Sequence, residues 1–155
     1  MKISIIAAKS ENDVIGLKNR LPWKIKEDIE YFKKKTKNHY VIVGRVTFEA
    51  MPENMLESFI IVVSKNKDYK AKNAIVVHSI KEGIDIAREN GEKELFIAGG
   101  EKIYKQTLKK AHKMYLTEIK GNYNGDRLFP SFGKEWKEIK REKREGFDFV
   151  VYEKV

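Results

Sequence analysis

The chain has 155 residues, no cysteine and a formal net charge of +9. This length suits one domain with a sizeable core, and the lack of cysteine excludes disulfides and thiol chemistry. A run of about 18 apolar residues, which a membrane-spanning helix needs, does not occur, and the early charges do not fit a secretory signal. We therefore expect a single domain, residues 1–155, in the cytoplasm.

The excess of basic residues raises nucleic-acid binding as an alternative function. The lysines are spread along the chain and alternate with acids, and the densest run, Lys33-Lys34-Lys35, lies at the end of a predicted helix, where cations favour the dipole. No RNA-reading motif with interleaved aromatic residues is present. We interpret the excess either as a surface that attracts anionic substrates or as solubility alone. The three widely spaced histidines predict no metal site.

Apolar strands and helices alternate over the first two-thirds of the chain. Strands are predicted at 2–8, 40–43, 59–63, 74–77 and 94–98, and helices at 25–36, 47–51, 80–90 and 101–108. Residues 9–23 read as a long polar loop, of the kind that serves as a lid or binding loop. Pro52 predicts the end of the second helix, and Ser79 with Glu82 forms a capping-box pattern before the third.

The last third of the chain predicts antiparallel strands. They lie at 113–119, 136–144 and 147–155, with a loop at 121–129 and a hairpin turn at Glu145-Gly146. The predicted fold class is α/β, with a mainly parallel central sheet, helices on both faces and an antiparallel C-terminal edge hairpin. Ligands of such sheets bind beyond the carboxyl ends of the strands, which here carry Ala8, Gly44-Arg45, Ser64-Lys65 and Gly99-Gly100.

The stretch 14–32 contains the most informative acid of the chain. It comprises a turn at Gly16, the tripeptide Leu21-Pro22-Trp23 and the helical spacing Ile25, Ile29, Phe32. Asp28 shares the apolar face of this helix, where a carboxylate is costly unless something binds it, and where desolvation raises its pKa. Asp28 is therefore either a surface acid at the edge of an amphipathic helix or a carboxylate that hydrogen-bonds a cationic or amide-like ligand.

Two glycine turns follow predicted strands. Gly99-Gly100 directly precedes a predicted helix, and Gly44-Arg45-x-Thr47 likewise joins a predicted strand to a predicted helix. Glycine lets backbone N–H groups approach an anion, although the usual G-x-G-x-x-G motif is absent. The candidate phosphate ligands are Arg45, Ser64, Lys65 and Lys102. The planar fork of an arginine suits a ribose phosphate, which favours a phosphorylated dinucleotide; the alternative is plain turns with a surface arginine.

The spacing of Gly16, Leu21-Pro22-Trp23 and Asp28 resembles the signature of the dihydrofolate reductase family. Similar segments cover nearly the entire chain: Ile6-Ala7-Ala8, Gly44-Arg45-x-Thr47, Ser64, Gly99-Gly100 with Ile103-Tyr104, Tyr115-Leu116-Thr117, and Gly125-Asp126 with Phe129-Pro130. The resemblance implies NADPH-dependent reduction of 7,8-dihydrofolate to 5,6,7,8-tetrahydrofolate, with protonation at N5, by an enzyme that antifolates inhibit. A monomer is the default expectation.

The resemblance also implies a role for each matching residue. Asp28 would bind the amide and amino groups of the pterin and support protonation at N5, with Thr117 bonding its carboxylate. Trp23 and Leu21 would lie on a mobile loop that closes the site, steadied by Asp126. The substrate would further contact Ile6, Ala7, Ala8, Ile29, Phe32, Lys33 and Ala98. NADPH would be held by Gly44, Arg45, Thr47, Ser64, Lys65, Gly99, Gly100 and Lys102, with Ile15 and Gly16 beside its nicotinamide. Tyr104 is expected to contribute packing.

The chain departs from the family before the third strand. The family usually has an arginine there that binds the carboxylate of the folate glutamate tail, whereas this chain has Glu57 or Ser58 and no Lys or Arg from 46 to 64. A charged hydrogen bond of about 1.5–3 kcal/mol corresponds to roughly ten- to a hundredfold in affinity. Our hypothesis is a weak tail contact or one relocated to Lys33.

Three smaller departures and two further alternatives remain. The departures are Val46, Glu101 and Ala98, of which Ala98 predicts a wider pterin pocket and weaker antifolate binding. One alternative is a reductase of the same fold that acts on a pterin, or on a riboflavin-pathway pyrimidine, without a glutamate tail. The other is a non-catalytic pterin or nucleic-acid binder that kept the fold.

Overall fold

The computed structural model describes residues 1–51 and 57–155. Pro52, the predicted end of the second helix, lies outside the described residues, as do positions 54–56 of the segment before the third strand. None of the described helices is long and apolar enough to cross a membrane, the longest having 11 residues.

The described chain forms ten strands and four helices. The strands are β1 (Lys2–Ser10), β2 (Val14–Gly16), β3 (Tyr40–Gly44), β4 (Phe59–Val63), β5 (Ile75–Val77), β6 (Glu94–Ile97), β7 (Lys113–Ile119), β8 (Arg127–Leu128), β9 (Trp136–Lys143) and β10 (Phe147–Lys154). The helices are α1 (Lys26–Thr36), α2 (Arg45–Ala50), α3 (Ile80–Glu89) and α4 (Glu101–Thr107). The predicted elements are thus confirmed, with α2 beginning two residues before its predicted start.

Eight of the strands form one sheet in the order β5-β4-β3-β6-β1-β7-β10-β9. The six strands from β5 to β7 are parallel, and β10 and β9 add antiparallel at one edge. The central strands are continuous apolar runs because both faces of a parallel sheet are covered, and Ile42, Ile61 and Ile97 are fully buried. The predicted fold class is therefore confirmed.

The helices cover the two faces of the sheet. Phe32 of α1 and Phe48 of α2 pack against a cluster that contains Ile6. Ile84 of α3 and Ile103 of α4 belong to the cluster on the opposite face. The carboxyl ends of the central strands meet at one edge, which is where a ligand site is expected.

Two segments that the sequence predicts as loops contain strands. Strand β1 continues to Ser10, and β2 pairs antiparallel with β8, with Val14 opposite Leu128 and Gly16 opposite Arg127. The predictions of plain loops at 9–23 and 121–129 are therefore wrong at these positions. The sequence carries no periodic signal there because each strand has at most three residues and its partner is more than 100 residues away.

Helix α3 has the predicted N-cap. The hydroxyl of Ser79 accepts a hydrogen bond from the backbone N–H of Glu82 at 3.1 Å. The carboxylate of Glu82 accepts from the backbone N–H of His78 at 2.9 Å, one residue before the partner expected for a capping box. Both contacts satisfy backbone donors at the beginning of the helix.

Ser79→Ala should lower the free energy of unfolding by about 1 kcal/mol, because the N–H of Glu82 loses its acceptor. Urea denaturation followed by circular dichroism measures the change. Ser131→Ala, at an exposed serine outside every helix, is the matched control and should leave the unfolding midpoint unchanged. Equal midpoints for the two variants would contradict a stabilising cap.

Candidate functional site

Asp28 lies in the first turn of α1 and reaches the central sheet. The hydroxyl of Thr117 on β7, which is 2% exposed, donates to Oδ1 of Asp28 at 2.6 Å. Burial raises the pKa of Asp28 above its ordinary value, and the hydrogen bond from Thr117 opposes that rise. The structure thus places a carboxylate with a perturbed pKa at the junction of a helix and the sheet.

Strand β1 runs beside this carboxylate. Its register places Ala8 opposite Thr117 and Ile6 opposite Tyr115. Ile6 faces the same apolar cluster as Phe32 and Ala98. The side chain of Ala7 packs in the cluster on the other face of the sheet, so it lies away from α1.

The remaining predicted substrate contacts lie on or before α1. Ile29 and Lys33 are half-buried, one helical turn apart. Leu21, ahead of the helix, is 52% exposed. Trp23 packs edge-on against Tyr123 with ring centroids 5.1 Å apart.

The indole N–H of Trp23 is a buried hydrogen-bond donor. Nε1 has no hydrogen-bond partner among the described residues. Because a buried N–H is costly when unpaired, such a donor favours a ligand or bound water close to it. Trp23 lies five residues before Asp28, so this donor is available near the start of α1.

The two glycine turns, which follow different strands in the sequence, are in direct contact. The backbone N–H of Gly44 donates to the carbonyl of Gly99 at 2.8 Å. Gly99 has φ of +111°, a conformation that favours glycine, and its peptide bond to Gly100 is cis. A Cβ at Gly100 would lie 2.9 Å from the hydroxyl of Thr47. Backbone at this turn is therefore open to a close approach, as a phosphate-binding turn requires.

The candidate phosphate ligands follow the ends of β3, β4 and β6 in the sequence. Arg45 is exposed, pairs with Glu49 at 2.8 Å and lies 6.0 Å from the ring of Tyr69. Ser64 is buried at the end of β4, and its carbonyl accepts from Nδ1 of His78 at 2.8 Å. Lys65 and Lys102 are exposed.

The strand pair β2–β8 carries Ile15 and Gly16. The N–H of Asp126 donates to the carbonyl of Gly16 at 3.0 Å, and Oδ2 of Asp126 accepts from the N–H of Lys18 at 3.2 Å. A Cβ at Gly125 would lie 2.2 Å from Cγ1 of Val14, so only glycine fits there. The loop around Gly16 is thus bound to the neighbouring loop that contains Asp126.

Tyr104, which the sequence predicts to contribute packing, also has a polar contact. Its hydroxyl donates to the carbonyl of Ile6 at 2.8 Å, and burial raises the pKa of that hydroxyl. A carbonyl has two lone pairs, so Ile6 keeps one for another donor. A tyrosine rather than phenylalanine on the buried side of a predicted helix was the sequence signal, because a buried hydroxyl needs a partner.

The segment before β4 ends in Glu57 and Ser58, the two residues expected at the position of the tail-binding arginine. Glu57 is exposed; its carbonyl accepts from the N–H of Asn38 at 3.2 Å, and its carboxylate lies 3.8 Å from Nζ of Lys37. Both members of this ion pair are well exposed, so the contact is weak. It nevertheless places a negative charge beside the C-terminus of α1.

Comparisons with known proteins find similarity over nearly the full length of this chain. The family model described as dihydrofolate reductase matches residues 2–154. The dihydrofolate reductase of Staphylococcus haemolyticus is 36% identical over 100% of this chain and 97% of its own length. That of Bacillus subtilis is 36% identical over 98% and 94%.

A solved structure is similar over the same extent. The dihydrofolate reductase of Enterococcus faecalis, complexed with NADP(H) and RAB-propyl, superimposes with a TM-score of 0.88 at 29% identity and covers 99% of this chain and 96% of its own. The similarity in sequence and in structure extends from the first strand to the last. Over residues 2–154, therefore, the chain belongs to the dihydrofolate reductase family.

Proposed function

We propose that this protein reduces 7,8-dihydrofolate to 5,6,7,8-tetrahydrofolate with NADPH. Its family supports the reaction class. The observation that carries the proposal is the half-buried carboxylate of Asp28, bonded by Thr117 at 2.6 Å at the ligand-binding edge of the sheet. Residues 1–155 act as one domain and as a monomer in the cytoplasm, in keeping with an eight-stranded sheet that runs from β1 to β10 and with the lack of cysteine.

Asp28 binds and polarises the pterin. A carboxylate accepts two parallel N–H bonds, which matches the adjacent amide and amino groups of the ring. Its raised pKa brings proton transfer closer to neutral pH, which assists protonation at N5. Thr117 fixes the orientation of the carboxylate, and the indole N–H of Trp23, which has no partner among the described residues, is a further donor for a ligand or bound water.

Apolar residues and backbone define the rest of the pterin site. The residues proposed to contact the substrate are Ile6, Ala7, Ala8, Ile29, Phe32, Lys33 and Ala98. The free lone pair of the Ile6 carbonyl and the carbonyl of Ala98 accept from the amino group of the pterin. Ala7 contributes through its backbone, because its side chain packs on the other face of the sheet. Leu21 and Trp23 exclude water from the site when the loop closes.

The glycine turns fit the phosphates of NADPH. A Cβ at Gly99 would lie 3.2 Å from the hydroxyl of Tyr104, and one at Gly100 would lie 2.9 Å from the hydroxyl of Thr47, so glycine keeps this turn open. When bound, NADPH supplies the hydride. Arg45 and Ser64, with Lys65 and Lys102, hold its phosphates, and a ribose phosphate matches the planar fork of Arg45. Ile15 and Gly16 border the nicotinamide.

A second candidate is a reductase of the same fold whose substrate has no glutamate tail. The specific observation in its favour is Glu57, an exposed acid in a stretch from 46 to 64 without Lys or Arg. A negative charge there opposes a glutamate carboxylate instead of binding it. The Leu21-Pro22-Trp23 and Asp28 spacing favours dihydrofolate.

Purified protein should oxidise NADPH with dihydrofolate faster than it oxidises NADH, as the absorbance of the reduced nicotinamide reports. Arg45→Ala should reduce the preference for NADPH by about tenfold or more, because a charge-assisted contact to the ribose phosphate is lost. Arg88→Ala, at an exposed arginine on α3, is the control and should keep the preference. A folded protein that binds NADPH but never oxidises it with dihydrofolate would favour the tail-less substrate.

Asp28→Asn should lower turnover about 10²-fold or more, because the proton donor is removed. At pH 8 the free energy of unfolding of this variant should exceed that of the wild type by about 1 kcal/mol, because Asp28 of the wild type carries a desolvated charge at that pH. As pH falls through the raised pKa of Asp28, the folded wild type takes up its proton first and gains stability, so the difference should shrink. Thermal unfolding at several pH values measures it; a pH-independent difference would contradict the raised pKa.

Lys33→Ala should raise the KM for dihydrofolate about tenfold if Lys33 replaces the missing arginine as the tail contact. The KM for a pterin without a tail should not change. Lys34→Ala, the exposed neighbour on the helix, is the matched control. An unchanged KM for dihydrofolate in Lys33→Ala would exclude the relocated contact.

A further inference from the structure

We propose that Glu101 is a positioning residue that ties the phosphate-binding glycine turn to the strand pair beside the nicotinamide. The proposal rests on the proposed function, since it concerns how the two ends of the cofactor site are held together. It assigns a role to a position where the chain departs from its family.

The contact on which the proposal stands is a single hydrogen bond. Glu101 is the first residue of α4 and follows Gly99-Gly100 directly. Its Oε2 accepts from the backbone N–H of Leu128 at 2.5 Å. Leu128 pairs with Val14 in the strand pair β2–β8, which also carries Ile15 and Gly16. A hydrogen bond to an ionised acceptor is among the stronger kinds.

The strand pair β2–β8 depends on contacts of this type. It has three residues in one strand and two in the other and is separate from the eight-stranded sheet. A two-stranded ribbon by itself is marginally stable. Helix α4 contacts the following segment a second time, because the ring of Tyr104 lies 5.1 Å from that of Phe129, whose N–H donates to the carbonyl of Asp13.

The charge of Glu101 is expected to weaken NADPH binding, whereas its hydrogen bond to Leu128 is expected to hold the strand pair in position. A carboxylate next to a turn that binds phosphate repels the cofactor, although it suits the helix N-terminus when the site is empty. Its benefit must then come from the bond to Leu128. Glu101→Gln removes the charge and keeps an acceptor for Leu128, whereas Glu101→Ala removes both.

Three measurements on the full chain test the proposal. Hydrogen exchange by NMR reports the protection of the Leu128 amide and the added protection of the Gly16 amide on NADPH binding. Fluorescence titration gives the Kd of NADPH, and single-turnover kinetics give the rate of hydride transfer. Lys105→Ala, exposed on the same helix one turn later, is the control and should match the wild type throughout.

In Glu101→Ala we expect about tenfold faster exchange at Leu128 and loss of the NADPH-induced protection at Gly16. Hydride transfer should slow by about tenfold, while the Kd of NADPH stays the same or becomes tighter. Glu101→Gln should restore most of the exchange protection and of the rate. A general loss of structure would weaken NADPH binding as well, so slower hydride transfer with unchanged or tighter NADPH binding indicates lost positioning.

Several results would overturn the proposal. Unchanged exchange at Leu128 in Glu101→Ala would mean that the bond does not form in solution. Faster exchange at Leu128 with an unchanged rate of hydride transfer would contradict the positioning role. Equal slowing of hydride transfer in Glu101→Gln and Glu101→Ala would contradict it as well. If the wild type binds NADPH but does not reduce dihydrofolate, the proposed function fails. The NADPH-induced protection at Gly16, compared between the wild type and Glu101→Ala, then decides whether Glu101 ties the glycine turn to the strand pair β2–β8.

Discussion

The hydrogen bond from Thr117 to Asp28 is the interaction on which the arrangement of the site depends. It joins α1 to β7 across 89 residues of sequence, so it forms only when the helix is packed on the sheet in one position. A half-buried carboxylate costs free energy, and one hydroxyl does not restore the hydration that it loses. The fold therefore holds a group whose demand for donors a bound pterin can satisfy.

Helix α4 and the glycines before it contact three parts of the proposed site. Its first residue contacts β8, its preceding glycines contact the turn after β3, and its Tyr104 reaches the carbonyl of Ile6 in β1. All of these contacts arise from residues 99–104, at the beginning of α4 and directly before it. A small shift of this helix would move the Gly99-Gly100 turn, the strand pair β2–β8 and the contact with Ile6 together.

The stretch before and through β4 is unusual within this lysine-rich chain, because residues 46–64 contain no Lys or Arg. Glu57 places a negative charge just before this strand, and its partner Lys37 lies at the end of α1. Both side chains are exposed, so water screens their charges and limits what either can contribute. Under the proposed function, this favours substrate recognition through the pterin ring, beside the buried polar contact of Asp28 with Thr117.

The sequence by itself determined the sheet, the helices and the family. Continuous apolar strands, helical spacing and the capping serine are local signals, and the spacing of Leu21-Pro22-Trp23 and Asp28 is readable without a structure. The tertiary structure decided which of these residues meet. Four contacts join segments that are distant in the sequence: the hydrogen bond of Gly44 to Gly99, the strand pair β2–β8, the hydrogen bond from the Tyr104 hydroxyl to Ile6, and that from Leu128 to Glu101. Such pairings leave no periodic pattern, because their free energy comes from contacts that exist only after the sheet has formed.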